Sequence, residues 1–297
     1  MDTVVVAGAT GYLGRHVVAE LASRGYRVRA VVRSRRRAEA PGPHGAPSLS
    51  GLVAEWVEGE VTDRRFVTGI CRGADRVVSA LGVTRQNANP WDVDFVANLH
   101  LLADAEAQQV RSFLYVNVMH AEIGRSLLLR AKSAFAEVLR RSPVTHQLVN
   151  PSGYFSDVGD YLSMARTGVA LVPPGNTLVA PIHGADLARF CVDRMGDEDG
   201  SWDVGGPDVL TYPDMARLAF EALGKRPRLV RIPDPAIAAT VWMASRLGER
   251  SASLAQFFAE GLTHDAVGER FGTHHLADYF RATAPGRGRS RRGPRAL

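Results

Sequence analysis

The sequence predicts an α/β protein, a doubly wound parallel sheet followed by a smaller C-terminal part. Three observations carry this expectation. A β-branched run, Val4 to Val6, leads straight into glycines at positions 8, 11 and 14. Apolar residues Val17, Val18, Leu21 and Ala22 then fall on one face at helical spacing. Strand-like and helix-like stretches alternate through the first half of the chain, which is the pattern of a sheet covered on both faces.

The elements follow in order. Strands are predicted near 3–8, 27–32, 52–57, 76–81, 112–118 and 145–150, and helices near 12–24, 64–72, 92–109 and 126–141. The stretch 34–51, rich in Pro, Gly and Ser, reads as a flexible loop. Beyond about residue 151 the pattern becomes irregular. Helices are predicted at 184–195, 212–223 and 235–261, with short strands at 168–173, 202–205 and 228–232. The division that results is a nucleotide-binding domain over 1–150, a substrate-binding part over 151–284 and a basic, disordered tail over 285–297.

The segment VVVAGATGYLG (4–14) has the strand, tight turn and helix start that a phosphate-binding loop needs. Gly8 permits the turn, Gly11 lets the backbone approach a pyrophosphate, and Gly14 lets the helix pack close to the strand. The helix N-terminus then offers free NH groups and the positive end of a dipole.

GxxGxxG in this form resembles the extended and atypical short-chain dehydrogenases/reductases. GEVTD (59–63), VVSALG (77–82), SFLYVNV (112–118), LLLRAKSAFAEVL (127–139), APIHGADLARF (180–190) and DVGGPDVLTYPDMARLA (203–219) extend the likeness to the NmrA-like members, over about residues 3–260. The resemblance implies a Rossmann fold. It implies cofactor contacts from Gly8, Thr10, Gly11, Tyr12, Leu13 and Gly14, and from Ser79, Ala80, Leu81 and Gly82 beneath the ribose. It places Ser152, Gly153, Tyr154 and Phe155 beside the nicotinamide. Asp63 either bonds the adenine, as in the family, or caps the helix begun by TDRRF.

The choice of nicotinamide cofactor is read at the end of the second strand. An NAD site usually has an acid there. Here Arg33 occupies the place, followed by Arg35, Arg36 and Arg37. A guanidinium suits the additional 2′-phosphate, so the expected cofactor is NADPH (NADP).

The family's catalytic set is a serine after the fifth strand and a tyrosine four residues before a lysine. Here Asn117 stands at the serine position and Lys132 at the lysine, while Leu128 replaces the tyrosine. Asn117 and Lys132 are therefore the expected catalytic residues, with Lys132 also holding the ribose. Asn117 can donate a hydrogen bond or simply cap the strand end. Only two of 36 basic residues are lysine, Lys132 and Lys225, so a compact ammonium at 132 is singled out. Losing a positioned general acid costs roughly 10²–10⁴-fold in rate.

Three readings follow. In one, His120 or Tyr154, the candidate substrate contacts, replaces the acid. In the second, the chain is a non-catalytic NADP(H) sensor of the NmrA-like kind. The favoured reading resembles the angucyclinone ketoreductases of the simocyclinone type: NADPH-dependent reduction of a polycyclic aromatic polyketide carbonyl in antibiotic biosynthesis. There a neighbouring phenolic hydroxyl on the substrate supplies the assistance. His183 and Asp186 read as a helix brace rather than a proton relay, and the runs at 235–243 and Phe257–Phe258 as a helical cover.

Composition narrows the classes. The net charge is +5, but five of the 36 basic side chains lie in residues 285–297, which leaves 31 against 31 acidic. The body thus lacks the basic excess of a nucleic-acid surface. Two cysteines, Cys71 and Cys191, give neither a disulfide framework nor metal spacing. No membrane-spanning run or leader is read, so no membrane partner and a cytoplasmic location are expected, with a small-molecule aromatic ketone as substrate. Monomer and homodimer both stay open.

Overall fold

The computed structural model describes residues 1–83 and 88–284; the basic stretch 285–297 lies outside them. The first half alternates as expected. It runs β1 (Thr3–Ala7), α1 (Tyr12–Ser23), β2 (Arg27–Val32), α2 (Arg35–Glu39), β3 (Glu55–Glu58), α3 (Arg64–Val67) and β4 (Arg76–Ser79). A π-helical turn (Trp91–Ala97) then leads into α4 (Asn98–Ala107), β5 (Ser112–Val116), α5 (Leu127–Arg140) and β6 (Thr145–Pro151).

The second half begins with α6 (Phe155–Val158), α7 (Asp160–Thr167), β7 (Ala170–Val172), β8 (Leu178–Val179), α8 (Gly184–Arg194) and β9 (Gly200–Gly205). It continues through β10 (Leu210–Thr211), α9 (Tyr212–Ala222), β11 (Leu229–Arg231), α10 (Asp234–Arg246), α11 (Glu249–Glu260), β12 (Glu269–Arg270) and α12 (Leu276–Thr283).

Eight strands form one parallel sheet in the order β12-β9-β6-β5-β4-β1-β2-β3. The strand alternation of β1 explains its double winding. Val4 and Val6 face a core shared with α1 and α8 (Leu13, Val17, Leu21, Leu187, Phe190). Val5 and Ala7 face the opposite core, built on Leu101, Phe113 and Phe135. Each fully buried Val, Leu or Phe side chain of these cores contributes about 1.5–3 kcal/mol. A third cluster, with Phe155, Tyr161, Met215, Phe220 and Phe280, belongs to the second half alone. Strand order reverses between β1 and β4, and ligands of open α/β sheets bind outside the carboxyl ends at such a point.

Three local departures have identifiable causes. The stretch 34–51 is held rather than loose. The buried Arg15 guanidinium donates to the carbonyls of Arg37, Ala38, Ala40 and Pro47 at 2.8–3.0 Å, and α2 forms within the stretch. The helix read over 235–261 is two helices, because Gly248 takes φ +123° between them. Finally, β9 and β12, both beyond residue 151, extend the central sheet and bring the second half into it.

Candidate functional site

The glycine loop has the conformation its sequence demands. Gly8 takes φ +77°, and a Cβ there would lie 2.6 Å from the Ala80 carbonyl oxygen. A Cβ on Gly14 would overlap the Gly8 carbonyl, so only glycine lets α1 sit this close to β1. Gly11 is the N-cap of α1, with no side-chain cap and no acid in the first turn. The free NH groups and the dipole end are therefore available to an anion. Thr10 and Leu13 flank this turn; the Thr10 carbonyl accepts from Arg15 Nε at 3.1 Å, and Leu13 is buried in the core. The Tyr12 hydroxyl is committed, accepting from Gly184 N at 3.0 Å, which ties α1 to α8.

Arg33 is exposed just past β2. Arg35, two residues on, pairs with Glu39 at 2.9 Å and lies over the Trp56 ring at 5.4 Å. Asp63 takes the capping role, its carboxylate accepting from Arg65 N at 2.8 Å at the start of α3. Ser79 is buried and donates to the Asn98 side chain, and Ala80 N donates to the Ala7 carbonyl at 3.0 Å.

Lys132 sits at the centre of the site, almost fully buried on α5. Its Nζ lies 3.1 Å from Asp94 Oδ1, 3.2 Å from the Val116 carbonyl, 3.4 Å from the Tyr115 hydroxyl and 3.5 Å from the Leu81 carbonyl. It thus ties together the ends of β4 and β5. Asp94 is wholly buried in the π-helical turn. Burial pushes its carboxyl above the usual range, opposed by the Lys132 charge and by the Val83 backbone. A Cβ on Gly82 would be 3.6 Å from Asp94 Oδ1 and 3.9 Å from Lys132 Nζ, so the pair lies directly at that glycine. Sequence reasoning missed Asp94. Its signal was weak: one of two acids in WDVDF, a segment read as ordinary helix.

Asn117 also has a fixed orientation. Asp203 Oδ1 only accepts, and it takes Asn150 Nδ2 at 2.9 Å. Asn150 therefore turns its oxygen to Asn117, whose Nδ2 donates to it at 3.0 Å. Asn117 Oδ1 is left buried with no hydrogen-bond partner among the described residues. The amide read as a free donor is thus half spent, and its open atom is an acceptor.

Leu128 is buried, and it helps line an apolar cleft with Val83, Pro90, Leu254 and Phe257. Helix α11 is locked there. Ser253 Oγ accepts from Leu127 N at 3.0 Å, and Glu260 accepts from Arg125 N at 2.8 Å and Ser126 N at 3.2 Å. That carboxylate serves the N-terminus of α5, which has no cap of its own.

The remaining candidates are placed as follows. His120 takes φ +62°, and its Nε2 donates to the Asp265 carbonyl at 2.8 Å, which joins the loop after β5 to the cover. Tyr154 packs edge-on to Tyr12 at 6.0 Å. Burial pushes its hydroxyl well above the usual value, and the Lys132 charge pulls the other way. Ser152 donates to the Ala180 carbonyl, the Gly153 carbonyl accepts from Ile182 N at 2.8 Å, and Phe155 N donates to the Ile182 carbonyl at 3.2 Å. The loop 152–155 is thereby fixed against the second half.

His183 caps α8, its Nδ1 accepting from Ala185 N at 3.2 Å, and stacks on His274 at 4.2 Å. Asp186 instead accepts from Thr273 N and His274 N at 3.0 Å each. Both residues act as the brace expected of them. Among the described residues no cluster of His, Cys, Asp or Glu could hold a metal, and no helix is long and apolar enough to cross a membrane.

The chain is similar to known proteins. The maize divinyl chlorophyllide a 8-vinyl-reductase is 30% identical over 270 residues, 83% of this chain and 66% of its own length. The chain thus spans just under two thirds of that relative. The ceramide reductase of Caulobacter vibrioides is 28% identical over 248 residues, 79% of this chain and 74% of its own. The structure of an Escherichia coli NADPH-dependent quinone oxidoreductase with NADPH superposes with a TM-score of 0.72 at 18% identity, covering 94% of this chain and 99% of that one; this likeness concerns the fold. The uncapped helix, the glycine cradle that any Cβ would fill, and a match over residues 8–198 agree: the chain belongs to the NAD(P)H-binding family, on a Rossmann fold.

Proposed function

We propose that the chain is an NADPH-dependent reductase acting on a flat, conjugated, apolar acceptor that stabilises the incoming charge itself. The polycyclic aromatic ketone with a neighbouring phenolic hydroxyl, an angucyclinone for example, is the specific case. The observation that carries this reading is Leu128. Where an acid would stand there is an aliphatic side chain built into an apolar wall with Leu254 and Phe257. Three nearby polar groups are engaged: His120 with Asp265, Lys132 with Asp94, and Asn117 Nδ2 with Asn150. The two relatives named above are called reductases, one of a vinyl group and one of ceramide, which supports reduction without fixing a ketone.

The bound nicotinamide supplies hydride. The chain's own residues bind and orient. The α1 N-terminus and Gly8–Gly14 take the pyrophosphate, and Arg33 takes the 2′-phosphate, which selects NADPH. Ser79–Gly82 form the ribose floor, with Lys132 at its edge. The loop 152–155 positions the ring. The second half, 151–284, covers the acceptor and holds it against the ring. Proximity and orientation of this kind are worth about 7–11 kcal/mol. Water, rather than a side chain, completes the protonation.

The test is NADPH consumption over a panel of aromatic ketones and quinones, with and without a hydroxyl beside the carbonyl. Turnover confined to the hydroxylated ketones supports the reading. Tight NADPH binding with no turnover on any member replaces it with the sensor reading, which the same lack of an acid would suit.

A further inference from the structure

Helix α10 turns an apolar face to water. None of its residues is buried. Ile237, Val241 and Ala244 are half-covered and recur at the spacing of one helix face. Ala238, Ala239, Trp242, Met243 and Arg246 lie on the other side, all exposed, and no acid is among them. Trp242 is 59% exposed, Met243 56%, and Leu247 at the helix end 81%. Apolar residues are also exposed on α11 at Phe258 and on the small β7–β11 sheet, where Val230 pairs with Leu171. Single exposed apolar residues are ordinary, but a run of this kind marks an interaction site.

The charge around it says what covers it. Residues 225–250 hold six basic side chains against two acidic, while residues 1–284 as a whole are balanced. Arg226, Arg228, Arg231 and Arg246 are all exposed. The Arg246 guanidinium lies over the Trp242 ring at 4.8 Å, so charge and aromatic surface occur together. A second copy docked face to face would set this basic segment against itself, since such an interface is self-complementary. An anionic partner with an apolar interior meets both needs. Basic residues beside Trp, Phe and Leu on a surface helix are the pattern of helices that lie in the plane of a membrane interface.

We propose that the α10–α11 hairpin docks on an anionic lipid bilayer, with Trp242, Met243 and Leu247 entering the headgroup region and the surrounding arginines meeting lipid phosphate. The docking assumes nothing about the substrate. On α11, Leu254, one helical turn before Phe258, and Phe257 line the cleft at Leu128. If the proposed apolar substrate is also right, that substrate can pass from the bilayer to the site beneath its cover.

The experiment uses the full chain with vesicles of phosphatidylcholine alone and of equal parts phosphatidylcholine and phosphatidylglycerol. Sedimentation alone does not decide, because the arginines at 285–297 can carry the protein to an anionic surface. The deciding readout is tryptophan emission. With the anionic vesicles it shifts to the blue and is quenched by bromine-labelled acyl chains. Trp242→Phe abolishes the change, and added salt weakens it by screening. Met243→Glu lowers vesicle affinity severalfold while NADPH binding stays intact, which shows that the variant is folded. No emission change with either vesicle, or a shift that survives Trp242→Phe, overturns the proposal. A dimer in light scattering that Met243→Glu dissociates also overturns it, and assigns the face to a second copy.

Discussion

Arg33 is the residue on which cofactor choice turns. A charge-assisted hydrogen bond contributes about 1.5–3 kcal/mol, so Arg33→Ala is expected to weaken NADPH binding about tenfold or more and leave NADH binding unchanged. Fluorescence titration of both nucleotides checks this, and equal losses for the two would reassign the 2′-phosphate contact. Lys132 and Asp94 form the second residue-scale case. Both are buried and each is the other's counter-charge. Breaking such a pair from one side costs about 3–5 kcal/mol, while replacing both by apolar residues costs far less. Asp94→Leu and Lys132→Met are each expected to lower the urea midpoint sharply, and the double variant to recover most of it. At this scale the sequence was legible where the backbone itself was the message, as in the glycine loop. It was opaque where meaning lay in a partner far along the chain. Nothing near Lys132 announced Asp94, and nothing near Asn117 announced that Asp203, through Asn150, would turn its amide.

Among elements, the contact of α1 with α8 carries a pH dependence. His16 on α1 and His183 at the start of α8 lie 5.4 Å apart between ring centroids, with His274 stacked on His183. Burial and the neighbouring rings hold both His16 and His183 down to about 4. The unfolded chain therefore takes up protons first, near the ordinary value of about 6.5. Stability is full above that value and falls as pH drops toward 4. His275 works in the opposite sense, raised by the Asp208 carboxylate, but it is exposed and its effect is screened. Urea midpoints measured from pH 7.5 to 4.5 should fall in step, and His16→Phe should remove part of the fall. A flat profile would mean that the cluster opens at no cost. Element positions were legible because hydrophobic period and glycine placement set them. The held loop at 34–51 was not, because Arg15 fixes it from outside its own sequence. The break at Gly248 was missed because a single glycine inside a helical stretch is tolerated and does not by itself mark an end.

For the whole molecule, the winding of the sheet was readable from alternation alone, but its full width was not. β9 pairs with β6 across a gap of about fifty residues, and two-residue β12 closes the edge beyond it. Nothing in so short a strand marks it as part of a sheet. Residues 1–150 are accordingly expected not to stand alone: expressed by themselves they should aggregate, since β6 would keep an open apolar edge. Expression of that fragment and measurement of its soluble fraction checks this. The same arrangement also has a history in time. A ribosome adds about 5–20 residues per second, so β6 waits several seconds after its own synthesis before β9 emerges to cover it. For that interval the newborn sheet ends in an unpaired strand, and the cell's chaperones, rather than the finished fold, must protect it.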